Sequence, residues 1–255
     1  MNNKIKFISN RYWLNKESIS VPSSTIKTIP DWYRKADRFA KMPNGEYFKA
    51  TKAHCPVPKE GTADDFGKIP TWKACPAMFD VMGSGYVLKT PCDIEFYLNS
   101  SDRISVKVVD EKYKDFCTPR TPMSQFKHPE GYYNEHFAWF PDWAVEVPEG
   151  YSVIYSQPFN RFELPFLTVS GIIDNDHVNL PGSMPFFIVK GFTGVLEAGT
   201  PYAQMIPFKR ENWESEIIIE DSKNILQKNI KNSAKYRIPD GGIYKNEVWQ
   251  PRRYE

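Results

Sequence analysis

PEGYSVIYSQPFNRFELPFLTVSGIIDNDHVNLPGSMPFFIVKGFTGVLEAGTPYAQMIPFKRENWE, residues Pro148–Glu214, decides the fold. Five β-type runs recur in it: Tyr151–Ser156, Phe162–Ser170, Phe186–Val189, Gly194–Glu197 and Ala203–Phe208. Pro, Gly, Asn and Asp clusters separate them. Short strands at spacings near ten residues predict an antiparallel sandwich or barrel. The fold expected is mostly β (α+β), a cupin-like or jelly-roll sandwich with a Pro-rich N-terminal arm and a C-terminal helix.

Upstream, Tyr86–Leu88, Cys92–Leu98 and Arg103–Val109 read as further strands, the last two joined as a hairpin through Asn99–Asp102. Residues 110–136 have loop chemistry, and Phe137–Val147 reads as a strand broken at Pro141. Lys4–Ser9 alternates like a strand. Residues 15–72 are rich in proline and poor in periodicity, with one short helix inside Ile29–Lys41. Trp72, Cys75, Met78, Phe79 and Met82 repeat at helical spacing, a pattern first explained by core packing. Downstream, Glu216–Glu220 is a short β-branched run, and Asp221 caps a helix to about Tyr236. The division this predicts is an arm and helix over 1–85, a β core over 86–220 and a helix with extended tail over 221–255. All three pack as one compact domain.

Bulk properties narrow the function classes. The chain has 255 residues, 41% hydrophobic and 25% charged, enough to bury a core without staples. Its net charge of +2 gives no specific nucleic-acid signal. No apolar run approaches a membrane span, and the start has no secretory h-region. The expected location is therefore a reducing cytosol, and a product assembled into a particle would look the same. The four cysteines contain no CxxC pair, which argues against a zinc knuckle or a disulfide framework. No GxSxG elbow, Walker loop, GxGxxG after a strand or HExxH helix occurs.

Two constellations carry candidate chemistry. His128 and Glu130 form a His-x-carboxylate pair, with His177 further on, as in sandwich enzymes that hold iron by two histidines and a carboxylate. Pro129 between the first two opposes this, because a paired strand needs an N–H there. Asp174-Asn175-Asp176-His177 could bind a hard cation such as calcium through its oxygens. A turn between strands explains the same four residues, since Asn and Asp hydrogen-bond their own backbone. A divalent metal (Fe, Mn or Ca) is thus the cofactor to test for. Among the rings of 132–143, alternation places Phe137 and Trp139 on one side and Phe140 on the other, favouring burial over an open sugar platform.

Several segments carry a resemblance: IPDWY (29–33), WKACPAMFDVMGSGYVLKTPCDI (72–94), W-x-V-x-V-P-E-G-Y-S (143–152), GIIDND (171–176) and GTPYAQMIPFKRENW (199–213). In this order the chain resembles a domain family of unknown function found in tailed phages, notably of marine bacteria, and in some bacteria. The resemblance implies a phage-type origin and no particular activity. The function expected is a non-catalytic virion component or interaction module that associates with itself or with other phage proteins. The alternative is a cupin-type metal-dependent enzyme, resembling non-haem iron oxygenases, acting on a small molecule.

Overall fold

The protein is described by a computed structural model over residues 3–49, 68–122, 127–219, 224–225, 227–228 and 247–255. Contacts divide it into two units. One comprises Met1–Thr28, Ser84–Glu211 and Tyr254–Glu255; the other comprises Ile29–Gly83 and Asn212–Arg253.

Among the described residues the first unit holds fourteen strands, antiparallel in their pairing as the alternating pattern predicts. They are β1 (Lys6–Ile8), β2 (Ser23–Ser24), β3 (Tyr86–Lys89), β4 (Ile94–Leu98), β5 (Ile104–Val108), β6 (Cys117–Pro119) and β7 (Tyr132–Trp139), then β8 (Ala144–Glu146), β9 (Tyr151–Ser156), β10 (Phe166–Thr168), β11 (Gly171–Ile173), β12 (Met184–Val189), β13 (Gly194–Leu196) and β14 (Pro201–Lys209). They form a five-stranded sheet β11-β9-β14-β3-β2, a four-stranded sheet β10-β12-β7-β6, a three-stranded sheet β13-β4-β5 and the pair β1-β8. Four pairings nest inside one another along the chain: β3 with β14, β4 with β13, β7 with β12, and β9 with β11.

Alternation sends one side of each main strand into a common core. Ile94 and Phe96 enter from β4, Phe137 and Trp139 from β7, Val153 and Tyr155 from β9, and Phe186 and Ile188 from β12. On β14 the register against β3 shifts between Pro201 and Ala203. The extra residue, Tyr202, turns inward beside Ala203, as a bulge re-aims side chains. The Trp139 ring stacks on Phe186 at 3.7 Å, and its Nε1 donates to Thr168 Oγ1 at 3.1 Å. Thr168 Oγ1 in turn donates to the Tyr202 carbonyl at 2.7 Å, linking the four-stranded to the five-stranded sheet.

Several expectations change here. Residues 117–119 and 132–136, read as loop, lie in β6 and β7, because pairing with apolar neighbours outweighs local turn chemistry. The first 28 residues belong with the strands: β1 pairs β8 and β2 pairs β3. GII at 171–173, outside the five expected runs, is a strand at the end of the five-stranded sheet. The described residues 216–219 of the run at 216–220 are not part of a strand. Of the expected 221–236 helix, the described positions 224, 225, 227 and 228 are helical, and the rest lies outside the described residues.

In the second unit, α1 (Asp31–Lys35) ends after five residues because Ala36 turns extended, with ψ 140°. Three bridges, Phe39 with Pro70, Lys41 with Tyr47 and Lys49 with Lys68, build a small ladder. A short 3-10 turn over 72–74 leads into α2 (Pro76–Gly83). Ile29, Tyr33 and Met82 form the core, with Met78 and Phe79 packed on it. Trp249 packs edge-on against Phe79 and donates to Asp80 at 2.9 Å. Trp72, expected within the helical stripe, lies before α2 and is 65% exposed. Among the described residues no helix is long and apolar enough to cross a membrane.

Gly85 opens β3 with φ +77°, and a Cβ there would sit 1.9 Å from the Met205 carbonyl oxygen on β14. Gly191 has a similar φ of +92° with nothing within 4 Å. Gly191→Ala should cost about 1–2 kcal/mol, the left-handed strain alone. Gly85→Ala should cost roughly 4 kcal/mol or more, because β3 must move off β14. Chemical denaturation of both variants checks the difference.

Candidate functional site

The connection from β11 to β12 begins with Asp174–His177, and its geometry is that of a pinned turn. His177 N and Val178 N both donate to the Asp174 carbonyl at 3.0 Å. Asn175 is 1% exposed and uses the two-sided chemistry of an amide. Its Nδ2 donates to the carbonyls of Val145 (3.2 Å) and Val178 (3.1 Å), and its Oδ1 accepts from Tyr155 Oη at 3.1 Å. Asp174 Oδ1 accepts from Ser152 Oγ at 2.6 Å.

Asp176 carries the heaviest load. Arg210, the residue after β14, grips its carboxylate with both guanidinium ends; Nη1 to Oδ1 is 2.9 Å and Nη2 pairs with Oδ2. The Gly150 N–H donates to Oδ2 at 2.9 Å. Arg210 Nη1 also donates to the Tyr151 carbonyl at 2.8 Å, so one guanidinium ties the turn to β9. The Arg210 hydrogen bonds, ahead of the Gly150 amide, hold the Asp176 carboxyl well below the usual carboxylate range. The His177 side chain is 69% exposed, with Nε2 3.7 Å from Asp176 Oδ2. Both Asp176 oxygens and Asp174 Oδ1 are thus engaged by Arg210, Ser152 and the Gly150 amide, while the Asp174 side chain is 55% exposed. Local turn bonds close the loop through the Asp174 carbonyl and Asn175, and the remaining side-chain bonds tie it to β9, to Val145 and to Arg210.

The other expected ligands lie elsewhere. His128 and Glu130 are exposed in the loop before β7, where Tyr132 N closes a turn onto the Pro129 carbonyl at 3.3 Å. Among the described residues, no group of three or more His, Cys, Asp or Glu side chains is placed to hold a metal ion. His128, Glu130 and His177 are therefore not brought together. Pro129 keeps its segment out of the ladder, and the turn at 174–177 directs His177 to solvent. His136 is fully buried on β7, where burial, ahead of Arg120, pushes its pKa down. Of the rings in 132–143, Phe137 and Trp139 are core and Phe140 is 40% exposed.

Two features escaped the sequence. One is the apolar surface around the pinned turn. Among the described residues strand β11 hydrogen-bonds only to β9, and its other edge has no strand partner there. Ile172 there is 63% exposed, and Val178 and Leu180 in the following loop are 47% and 72% exposed. The loop returns to the strand, since Ile173 Cδ1 lies 3.7 Å from where a Cβ of Gly182 would be. Cross-strand register aligns Ile172 with Ile154 and Ile154 with Ile206, a row of isoleucines ending at the open edge. The other is Asp142, whose side chain is 4% exposed; its Oδ1 accepts from Arg11 Nε at 3.0 Å. Burial pushes its pKa up, against the opposing pull of Arg11. The sequence signal was a lone carboxylate between Pro141 and Trp143 in an apolar run.

Asp176 and Asp142 should respond to acid in opposite senses. A depressed folded pKa gives stability that is full above the unfolded value near 3.9 and is lost as pH falls. A raised one favours the folded state while protonated, and that advantage fades as pH rises above about 3.9. Asp176→Asn should therefore lower the melting temperature at neutral pH and flatten its fall in acid. Asp142→Asn, which keeps an acceptor for Arg11, should leave neutral stability equal or higher. Thermal melts across the acid range check both.

Comparison with protein-family models finds no match, and comparison with curated proteins likewise finds none. Among solved structures, the dUTPase from phage phi11 of S. aureus is similar at 12% identity, spanning 42% of this chain and 97% of that one, with a TM-score of 0.24. At that score nothing follows from it for this chain.

Proposed function

We propose that the protein is a non-catalytic interaction module of the tailed-phage type that self-associates through the β11 edge and the loop after it. It would act in the host cytoplasm or as part of a virion. The jelly-roll form of the sandwich belongs to this proposal. Its support is the nested pairing of β3 with β14, β4 with β13 and β9 with β11, which is how a long folded-back hairpin rolls up.

The observation that carries the proposal is an open strand edge bearing a 63% exposed isoleucine beside a loop whose base is pinned by Arg210. Open apolar edges attract strands, and proteins that keep one unguarded generally use it. A pinned base lowers the ordering cost of docking, because the backbone is already in place. The simplest partner is a second copy. Two β11 strands paired antiparallel about a twofold axis would set Ile172 near Ile172 of the partner copy and continue the isoleucine row across the joint. The metal-dependent alternative has no ligand set among the described residues to support it.

Sedimentation velocity over a range of protein concentrations tests the proposal. The wild type should show the mass of two or more copies. The pair Ile172→Glu and Leu180→Glu should shift it to one chain without lowering the unfolding temperature, both side chains being mostly exposed. A single-chain mass at every concentration would overturn self-association.

A further inference from the structure

The second unit presents a surface that the β unit's proposed role does not use. An open apolar pocket of about 370 Å³ lies among Trp32, Ala36, Ala40, Pro70, Trp72 and Lys73. Alanines leave its floor shallow, and the indole of Trp72 stands 65% exposed. The walls are fixed by the ladder: Ala40 N donates to the Ile69 carbonyl at 2.8 Å, and Thr71 N to the Arg38 carbonyl at 3.0 Å. Thr71 also caps the 3-10 turn that carries Trp72, accepting from Lys73 N at 3.2 Å. An exposed tryptophan on so constrained a backbone is not a by-product of a loose loop.

Cations surround the same ladder. Residues 31–41 and 68–73 contain Arg34, Lys35, Arg38, Lys41, Lys68 and Lys73 against two carboxylates, Asp31 and Asp37. Asp31 is taken by Arg34 and Lys35, and Asp37 by Lys41. Lys73 donates to the Tyr33 carbonyl at 2.8 Å at the end of α1. Six cations against two carboxylates leave a surplus of four positive charges, of which Arg38 and Lys68 contribute two. Both sit 5.7 Å from the Phe39 ring centre, and Lys68 Nζ is 3.7 Å from that of Tyr47. Tyr47 and Phe48 are themselves 38% and 43% exposed.

We infer that this face binds single-stranded nucleic acid, with one unstacked base against Trp72 and the backbone phosphates along Arg38 and Lys68. Aromatic platforms interleaved with cations are how single strands are held without sequence readout. A duplex keeps its bases stacked inside and offers the pocket nothing. An acidic peptide would use the cations and leave the exposed Trp72 indole idle. The whole-chain charge of +2 conceals the surface, because the surplus is local.

Fluorescence anisotropy of a labelled oligothymidylate with the intact protein tests the inference. Binding should weaken with salt, and Trp72→Ala should reduce affinity roughly 5- to 100-fold while Trp72→Phe restores most of it. Replacing Arg38 and Lys68 together by alanine should lower the slope of log affinity against log salt by about 1.4, or ~0.7 per phosphate contact released. Unchanged melting curves for these exposed positions confirm that folding is intact. No binding at low salt would overturn the inference, as would binding indifferent to Trp72. Equal competition by poly-glutamate would overturn it in favour of an acidic-peptide site. Each of these outcomes leaves self-association through β11 to be judged separately.

Discussion

One buried contact chain, from Phe186 through Trp139 and Thr168 to the Tyr202 carbonyl, holds the β unit together. The stacked ring supplies apolar burial, and its only polar atom, the indole nitrogen, has an acceptor in Thr168. Thr168 passes the bond on to β14, so neither the indole N–H nor the threonine hydroxyl is left unsatisfied. Removing such a ring by Trp→Ala typically costs about 3–5 kcal/mol, and here it would also take away the donor that Thr168 Oγ1 accepts from. Gln157 repeats the logic at the rim. Its amide accepts from Thr168 N at 2.8 Å and donates to the Phe166 carbonyl at 3.2 Å, giving the outer edge of β10 the bonds of a neighbouring strand. The bulge at Tyr202 is what brings the β14 carbonyl within reach.

With β10 closed in this way, β11 stays open, and the contrast gives the surface its meaning. Arg210 fixes the turn at 174–177 so firmly that its carboxylates have little left for a ligand. The same fixation holds Ile172, Val178 and Leu180 out in water at a defined place. Stability at the base and exposure at the tip are two results of one ion pair. In the second unit the ladder does for Trp72 what Arg210 does for the loop.

How much of this the sequence revealed follows the range of the interactions. Strands whose apolar residues alternate, such as Tyr151–Ser156, were legible with correct bounds, because period two is a local signal. The helix after Pro70 was legible, but Trp72 was misplaced: its spacing fits the stripe while Thr71 and Pro70 hold it outside. β6 and the start of β7 were hidden, because Pro119 and the polar residues around Tyr132 look like loop until Trp139 and Phe186 give them partners. At the candidate site, DNDH was visible as a turn or a cation loop. The arginine that decides between the two lies more than thirty residues away, and sequence spacing carries no distance. The failure of His128, Glu130 and His177 to converge has the same origin. The open edge was invisible because an edge is defined by a strand that is not there.

Amide hydrogen exchange of the intact protein, compared in dilute and concentrated solution, bears most directly on association through that edge. The predicted result is protection at high concentration confined to residues 171–180, with β7, β9, β12 and β14 slow under both conditions. Unchanged exchange at 171–180, or protection appearing only at 31–41 and 68–73, would contradict it.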